Sequence, residues 1–412
     1  MADVVESLRC PGMRDLLPDD MDRFRLVEAT FIDVCRAWGF REVRTPTIEF
    51  LHLFTAAGTL SPRTLERVYS FLDWDGWSGE RVVLRPDATI PAARLYAEAL
   101  DRGRVAKLFY VENVFQFATG DASREEWQAG VELIGDTGPA GDVELVLLGS
   151  EVLRRLAADG VTLKVSHAGI VRTLLARTGL TREEQRGLYQ RMLDEDADVV
   201  AELERLMPDL DAPLRLLFDV EGGGSAYVEN LRGALAPAIP ELDRPLAELA
   251  VVVEALEACG LRPRAQAALA RRFEYYSGLV FRFERQGRRL GGGGRYDHLI
   301  ELVHGQAVPA SGFAFEMAPL MALTPAGETG GSASVVVEVA DADAPSVAAA
   351  MATSAALRER GVGAWVTAGA EQRASWRLTI EGGRFRLRPW AGGEEVVCTS
   401  IDEVAAALGV AS

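Results

Sequence analysis

The sequence predicts an α+β fold followed by a separate small α/β unit. Three observations predict it. Residues 21–38 set Phe24, Val27, Phe31, Val34 and Cys35 at helical spacing, the pattern of an amphipathic helix. Strand patterns occupy 107–117, 127–135 and 279–284. Between the second and third of these, residues 181–258 read as almost entirely helical, with charged faces.

Taken in order, the helix over 21–38 ends at Gly39, a residue suited to the left-handed C-terminal position. FREVRTPTIEF (40–50) alternates as a strand interrupted at Pro46. Residues 82–84 and 107–117 read as strands flanking a helix over 90–102. A helix over 139–158 leads into the strand VTLKVS (161–166). The helical block 181–258 contains one glycine cluster, 222–224, and strands resume at 279–284. LTPAGETGGSAS (323–334) has the composition of a linker. Beyond it come a buried strand (335–339), an alanine-rich helix (344–359), a strand (361–366), a hairpin of 376–381 and 384–390 turning at Glu381-Gly382-Gly383, and a last helix (401–408). The expected organisation is therefore a core over 1–322 with a helical insertion at about 181–258, a linker over 323–334 and a small C-terminal α/β domain over 335–412.

The chain has 412 residues, 48% hydrophobic and 25% charged, which is ordinary globular composition with room for large cores. Its net charge of −17 argues against nucleic acid as a partner, because phosphate contacts need a basic surface. The four cysteines (Cys10, Cys35, Cys259, Cys398) form no CxxC pair, so neither a zinc site nor a disulfide framework is expected. No signal-like start and no apolar run of about 18 residues is present, and a cytoplasmic protein without membrane spans is the expectation. His52, His167, His298 and His304 are isolated, and no Walker loop, HExxH or GxSxG occurs. No metal and no cofactor is expected.

Five segments carry a family resemblance: LRPDAT (84–89), KLFYVENVFQF (107–117), WQAGVELIG (127–135), RRFEYYSGLVF (271–281) and GGGGRYDHL (291–299). Their order and spacing resemble histidyl-tRNA synthetase, a class II aminoacyl-tRNA synthetase, from residue 11 to about 320. The resemblance implies an antiparallel sheet core with flanking helices, and a dimer interface built by the helix–strand pair 21–50. It also implies an anticodon-binding domain at the C-terminus. Here that domain is short and acidic, and lacks a helix-and-strand unit between 367 and 376.

The resemblance further implies a pocket for histidine, and the residue chemistry fits. Burying an ammonium, a carboxylate and an imidazole requires a partner for each. Asp87 can take the ammonium, with Thr89 and Gln128 adding hydrogen bonds. Glu132 can accept from an imidazole N–H, and on a strand it shares a face with Gln128, with Gly130 leaving room between them. Tyr276, next to Tyr275, can bond the other imidazole nitrogen, and Arg271 can pair with the carboxylate. The glycines 291–294 let backbone approach a ligand, and Arg295 and Tyr296 complete the wall.

Three positions depart from the synthetase pattern. Gln116 stands where the family places the arginine that holds the α-phosphate of ATP. Ala118 replaces the glutamate that reads the adenine amino group. Pro319 replaces the arginine of Glu-Arg-Leu that clamps the γ-phosphate. Arg85 and Arg271 are the arginines left near the site. A kept amino-acid pocket with lost ATP clamps resembles the regulatory subunits of ATP phosphoribosyltransferase. That likeness implies a non-catalytic chain that assembles with the short-form catalytic subunit, usually as a hetero-octamer, and confers feedback inhibition by L-histidine on the first step of histidine biosynthesis. An active or divergent histidyl-tRNA synthetase and a free-standing histidine-binding paralogue are the alternative readings.

Overall fold

The computed structural model describes residues 8–56, 67–74, 79–100, 104–118, 122–136, 138–193, 196, 198–219, 222–266, 276–324, 334–339, 341, 343–367 and 374–409. The chain divides into two compact units, Met1–Gly327 and Glu328–Ser412.

The first unit begins with α1 (Pro18–Ala37), which buries Phe24, Val27, Phe31, Val34 and Cys35. Asp19 and Asp20 in its first turn and Arg36 in its last suit the helix dipole, and Gly39 beyond it has φ +79°. The elements β1 (Arg41–Glu42), β2 (Ile48–Phe50), α2 (Leu51–Ala56), β3 (Ser70–Trp74), β4 (Gly79–Leu84), α3 (Thr89–Ala99), β5 (Ala106–Phe115) and β6 (Glu125–Ile134) follow. Next come α4 (Pro139–Arg155), β7 (Val161–His167) and α5 (Ala168–Arg177). A helical stretch holds α6 (Arg182–Leu193), α7 (Asp198–Leu206), α8 (Asp211–Asp219), the short β8 (Gly222–Gly223), α9 (Gly224–Leu235) and α10 (Asp243–Ala258). The chain returns through β9 (Arg264–Ala265), β10 (Leu279–Arg285), β11 (Arg288–Arg295), α11 (Leu299–His304), β12 (Ala310–Glu316) and α12 (Met317–Met321).

Nine strands form one sheet in the order β1-β5-β6-β12-β11-β10-β7-β9-β8. Its centre, from β5 to β7, is antiparallel throughout, and the parallel pairs β1–β5 and β7–β9 lie outside it. Alternation divides the side chains between two faces. Phe109, Val111, Ala129, Val131, Phe281, Phe283, Phe313 and Phe315 pack with α1, α4 and the helical stretch in the main core. The opposite face carries Tyr110, Gln128, Gly130, Glu132, Gly292, Gly312 and Ala314, and this is the face that builds the pocket.

The glycine run 291–294 is the interior of β11, paired on both sides. A Cβ at Gly291 would come within 2.6 Å of the Ala314 carbonyl, and one at Gly293 would overlap the carbonyl of Gly312. The crowding of neighbouring strands is thus the first reason for these glycines. Approach to a ligand is left to Gly292, which lines the cavity.

Separately, β2, β4 and β3 make a three-stranded antiparallel sheet. Phe50, Val82 and Phe71 stand in one cross-strand row, and Ile48, Phe50 and Phe71 are exposed.

The second unit is a five-stranded sheet ordered β14-β13-β15-β16-β17, made of β13 (Ser334–Glu338), β14 (Gly363–Thr367), β15 (Trp376–Glu381), β16 (Arg384–Pro389) and β17 (Val396–Cys398). Helices α13 (Ala344–Glu359) and α14 (Ile401–Ala407) cover one face over Val335, Val337, Leu378 and Leu387. Asp343 caps α13 by accepting from the Ser346 N–H at 2.7 Å. Most of the stretch expected as a linker, and residues 368–373, lie outside the described residues.

Candidate functional site

The loop between β4 and α3 carries Asp87 into the pocket. The Asp87 carboxylate accepts from the Ile90 N–H at 3.0 Å, fixing the entry of α3. Asp87, Thr89, Gln128 and Tyr276 line one cavity with Arg289, Gly292, Tyr296, Gly312 and Glu316. The space within it, including its mouth open to solvent, is about 410 Å³. Arg271 and Tyr275 lie outside the described residues.

Glu132, 1% exposed, lies behind the cavity lining, against Tyr296. Tyr110 donates to its Oε1 at 3.0 Å, and Tyr296 donates to its Oε2. The hydroxyl of Thr89 lies 3.3 Å from that of Tyr110. Tyr110 is fully buried, and its ring fills the space beside Gly130, where a Cβ would overlap it. The room at Gly130 therefore belongs to Tyr110 and not to a gap between Gln128 and Glu132. Tyr110 was not among the residues picked from the sequence. Its strand parity with Leu108 and Glu112 was the available signal.

Arg295 is not part of the pocket wall. It turns to the core side, pairs with Asp142 of α4 at 2.9 Å and donates to the carbonyls of Asp136 and Gly138 at 3.0 Å each. Arg85 is likewise committed elsewhere. It pairs with buried Glu112 at 2.7 Å and donates to the carbonyls of Thr45 and Asn113. Gln116 donates to the Pro86 carbonyl at 3.2 Å. The Ala118 carbonyl accepts from Arg124 at 2.8 Å. Pro319 is buried in α12, where it offers neither a side-chain nor a backbone donor.

Two acids stand at the pocket, half-buried Asp87 in its lining and buried Glu132 behind it. Burial pushes Glu132 up to about 8, against the hydrogen bonds from Tyr296, Tyr110 and Thr89, with the Asp87 charge adding to the rise. Burial pushes Asp87 up to about 6, against the backbone donors of Ile90 and Thr89. Both carboxyls thus hold their protons more readily than exposed acids do.

Stability carries the same signature. Between the ordinary glutamate value of 4.5 and about 8, folded protein holds a proton on Glu132 that the unfolded chain has released. Stability should fall as pH rises through that window. For Glu132→Gln, the midpoint difference from wild type should therefore grow in the variant's favour from pH 4.5 to 8 and level off above. Scanning calorimetry of ligand-free protein checks this, and a pH-independent difference would contradict it.

Among the described residues no group of acids, histidines and cysteines has metal-site geometry, and no helix is long and apolar enough to cross a membrane.

The antiparallel sheet with this pocket on one face defines a protein of the class II histidyl-tRNA synthetase fold. A family model described as histidyl-tRNA synthetase matches residues 12–320. A protein of Dehalococcoides mccartyi named ATP phosphoribosyltransferase regulatory subunit is 47% identical over 307 residues, 74% of each chain. A histidine–tRNA ligase of Methanosarcina acetivorans is 33% identical over 325 residues, covering 76% of this chain and 75% of its own. The crystal structure of an ATP phosphoribosyltransferase regulatory subunit/histidyl-tRNA synthetase from Bacillus halodurans aligns with a TM-score of 0.74 at 25% identity, over 88% of this chain and 94% of that one. The chain belongs to the histidyl-tRNA synthetase-like family of ATP phosphoribosyltransferase regulatory subunits.

Proposed function

We propose that this chain is the non-catalytic regulatory subunit of an ATP phosphoribosyltransferase, required for activity and for feedback control by histidine of the first step of histidine biosynthesis. One observation carries the reading. Gln116, Ala118 and Pro319 occupy the positions that read ATP in the synthetases, beside an amino-acid pocket that keeps Asp87 and buried Glu132. The names of the relatives at 46–47% identity support it.

Its partner is the short-form catalytic subunit, and its ligand is L-histidine. The chain forms a dimer within a hetero-octamer. The exposed side chains of Ile48 and Phe50, within the segment 21–50, and of Phe71 on the same small sheet support a self-contact there. The protein works in the cytoplasm and needs neither nucleic acid nor membrane. In the pocket Asp87, Thr89 and Gln128 take the ammonium, Glu132 and Tyr276 the imidazole, and Arg271 the carboxylate, with Tyr275 beside Tyr276. Histidine inhibits by binding one state of the assembly better than another. A coupling of about 1–3 kcal/mol gives roughly 5- to 150-fold control.

The test is co-elution with the catalytic subunit, then calorimetric titration of L-histidine with and without it. Glu132→Ala should weaken binding by about 1–3 kcal/mol, since an imidazole N–H is left unpaired. Arg271→Ala should cost more, and Arg384→Ala, in the second unit, nothing. Failure to co-elute would sink the reading. If wild type binds histidine only in the complex and Glu132→Ala leaves feedback intact, the regulatory site lies at the subunit interface instead.

A further inference from the structure

Arg289 is a cavity residue that no motif of the family resemblance contains. Its position follows from an irregularity in the sheet. Along β10–β11 the register pairs Phe283 with Gly291 but Glu284 with Arg289, so Leu290 is an extra residue in β11. Such a bulge re-aims the side chains beyond it. Leu290 packs into the main core beside Phe283 and Phe315. Without the extra residue, position 289 would share that core face with Gly291. With it, Arg289 falls on the pocket face and lines the cavity.

Around Arg289 the pairing is incomplete in a particular way. Its Nε lies 3.5 Å from Glu316 Oε1, outside good hydrogen-bond range, and has no hydrogen-bond partner among the described residues. Glu284, its cross-strand neighbour, already pairs with Arg282 at 2.5 Å and Lys164 at 3.4 Å. Glu316 stands directly opposite Gln128 in the β12–β6 ladder. The Oε1 of Gln128 is also buried without a partner among the described residues. One end of the cavity therefore holds an unsatisfied acceptor, Gln128 Oε1, and an unsatisfied cationic donor, Arg289 Nε, on either side of Glu316. Buried polar groups are seldom left unpaired. The α-carbon of an amino acid presents the matching set, ammonium donors beside carboxylate acceptors.

We infer that Arg289 is a carboxylate-binding and specificity-determining residue of this pocket, exchanging its loose contact with Glu316 for the carboxylate of the bound amino acid. The inference rests on the pocket reading above and adds a residue to it. A planar guanidinium suits a carboxylate in two-point contact. Discrimination against an analogue that lacks the carboxylate follows, because that analogue leaves Arg289 and Glu316 as they were.

The test titrates L-histidine and L-histidinol, in which an uncharged hydroxymethyl group replaces the carboxylate, into the full chain by calorimetry. Arg289→Met keeps the apolar stem and removes the charge. It should weaken L-histidine about 10- to 100-fold and L-histidinol less than about twofold, on the scale of a lost charge pair. Arg289→Ala should repeat this, with a thermal midpoint measured alongside. Glu316→Gln, which removes the competing acid, should tighten L-histidine several-fold and leave L-histidinol unchanged. If Arg289→Met weakens both ligands alike, or neither, the assignment is overturned while the pocket stands. If wild type binds neither ligand, the pocket reading falls and the assignment with it.

Discussion

Purified protein is expected to give no histidine-dependent exchange of pyrophosphate into ATP. Truncating one partner of a buried, hydrogen-bonded charge pair costs roughly 2–5 kcal/mol. Two arginines absent from a triphosphate site then amount to about three to seven powers of ten in binding or rate. Nothing described near the pocket replaces them. The Gln116 amide is turned to the Pro86 carbonyl, and Pro319 is enclosed in its helix. Arg85 is held by Glu112 and two carbonyls. No arginine occurs from 296 to 357 that a shifted alignment could supply. Exchange above a no-enzyme background, dependent on histidine, would overturn the reading of these positions.

The largest loss of stability is expected from Arg85→Leu. The pair Arg85–Glu112 is almost wholly inaccessible, with side chains 4% and 2% exposed. Glu112 also accepts from the backbone N–H of Thr45 at 2.5 Å and from its hydroxyl at 2.8 Å. Together these bonds fasten the segment between β1 and β2, the loop before α3 and strand β5. Removing the arginine leaves a carboxylate buried without its counter-charge. A loss of about 3–5 kcal/mol is the usual consequence, read as a lowered denaturant midpoint. Burial alone favours the neutral form of Arg85, and the Glu112 charge opposes it, so each partner depends on the other. Arg85→Leu with Glu112→Leu should therefore cost well under the sum of the single changes. Additive losses, or a single loss below about 1 kcal/mol, would contradict this account.

Much of the fold could be read from residue patterns because the signals were local. The stripe of Phe24, Val27, Phe31, Val34 and Cys35 is the buried face of α1. The alternation on either side of Gly130 set Gln128 and Glu132 on one face, and the sheet keeps them there. What escaped depended on partners distant in sequence. Strand β3 has every residue exposed, so it carries no burial pattern to read. The run of glycines in β11 reads from the sequence as room for a ligand, whereas its first cause is the closeness of β10 and β12. Arg295 reads as part of the pocket wall, and Arg85 as an arginine left near the site, because both lie within motifs of the resemblance. Only the positions of Glu112 and Asp142 in space show them to be fasteners. Arg289 was invisible for a related reason, since a one-residue bulge inverts the parity by which its face would be predicted.

The two halves of the inherited site differ in how they are embedded. Tyr110, Gly130, Glu132 and Gly312, with Tyr296 just past the end of β11, interlock so that each occupies space or bonding capacity that another leaves. Gln116 and Ala118 lie just past the end of β5, and Pro319 lies in a five-residue helix after β12. Positions at these margins can be substituted singly while the framework stands. The interlocked residues are part of the framework itself. A residue at such a margin can change alone. One inside the interlocked sheet can change only together with its neighbours, so the two sets are open to substitution at different rates.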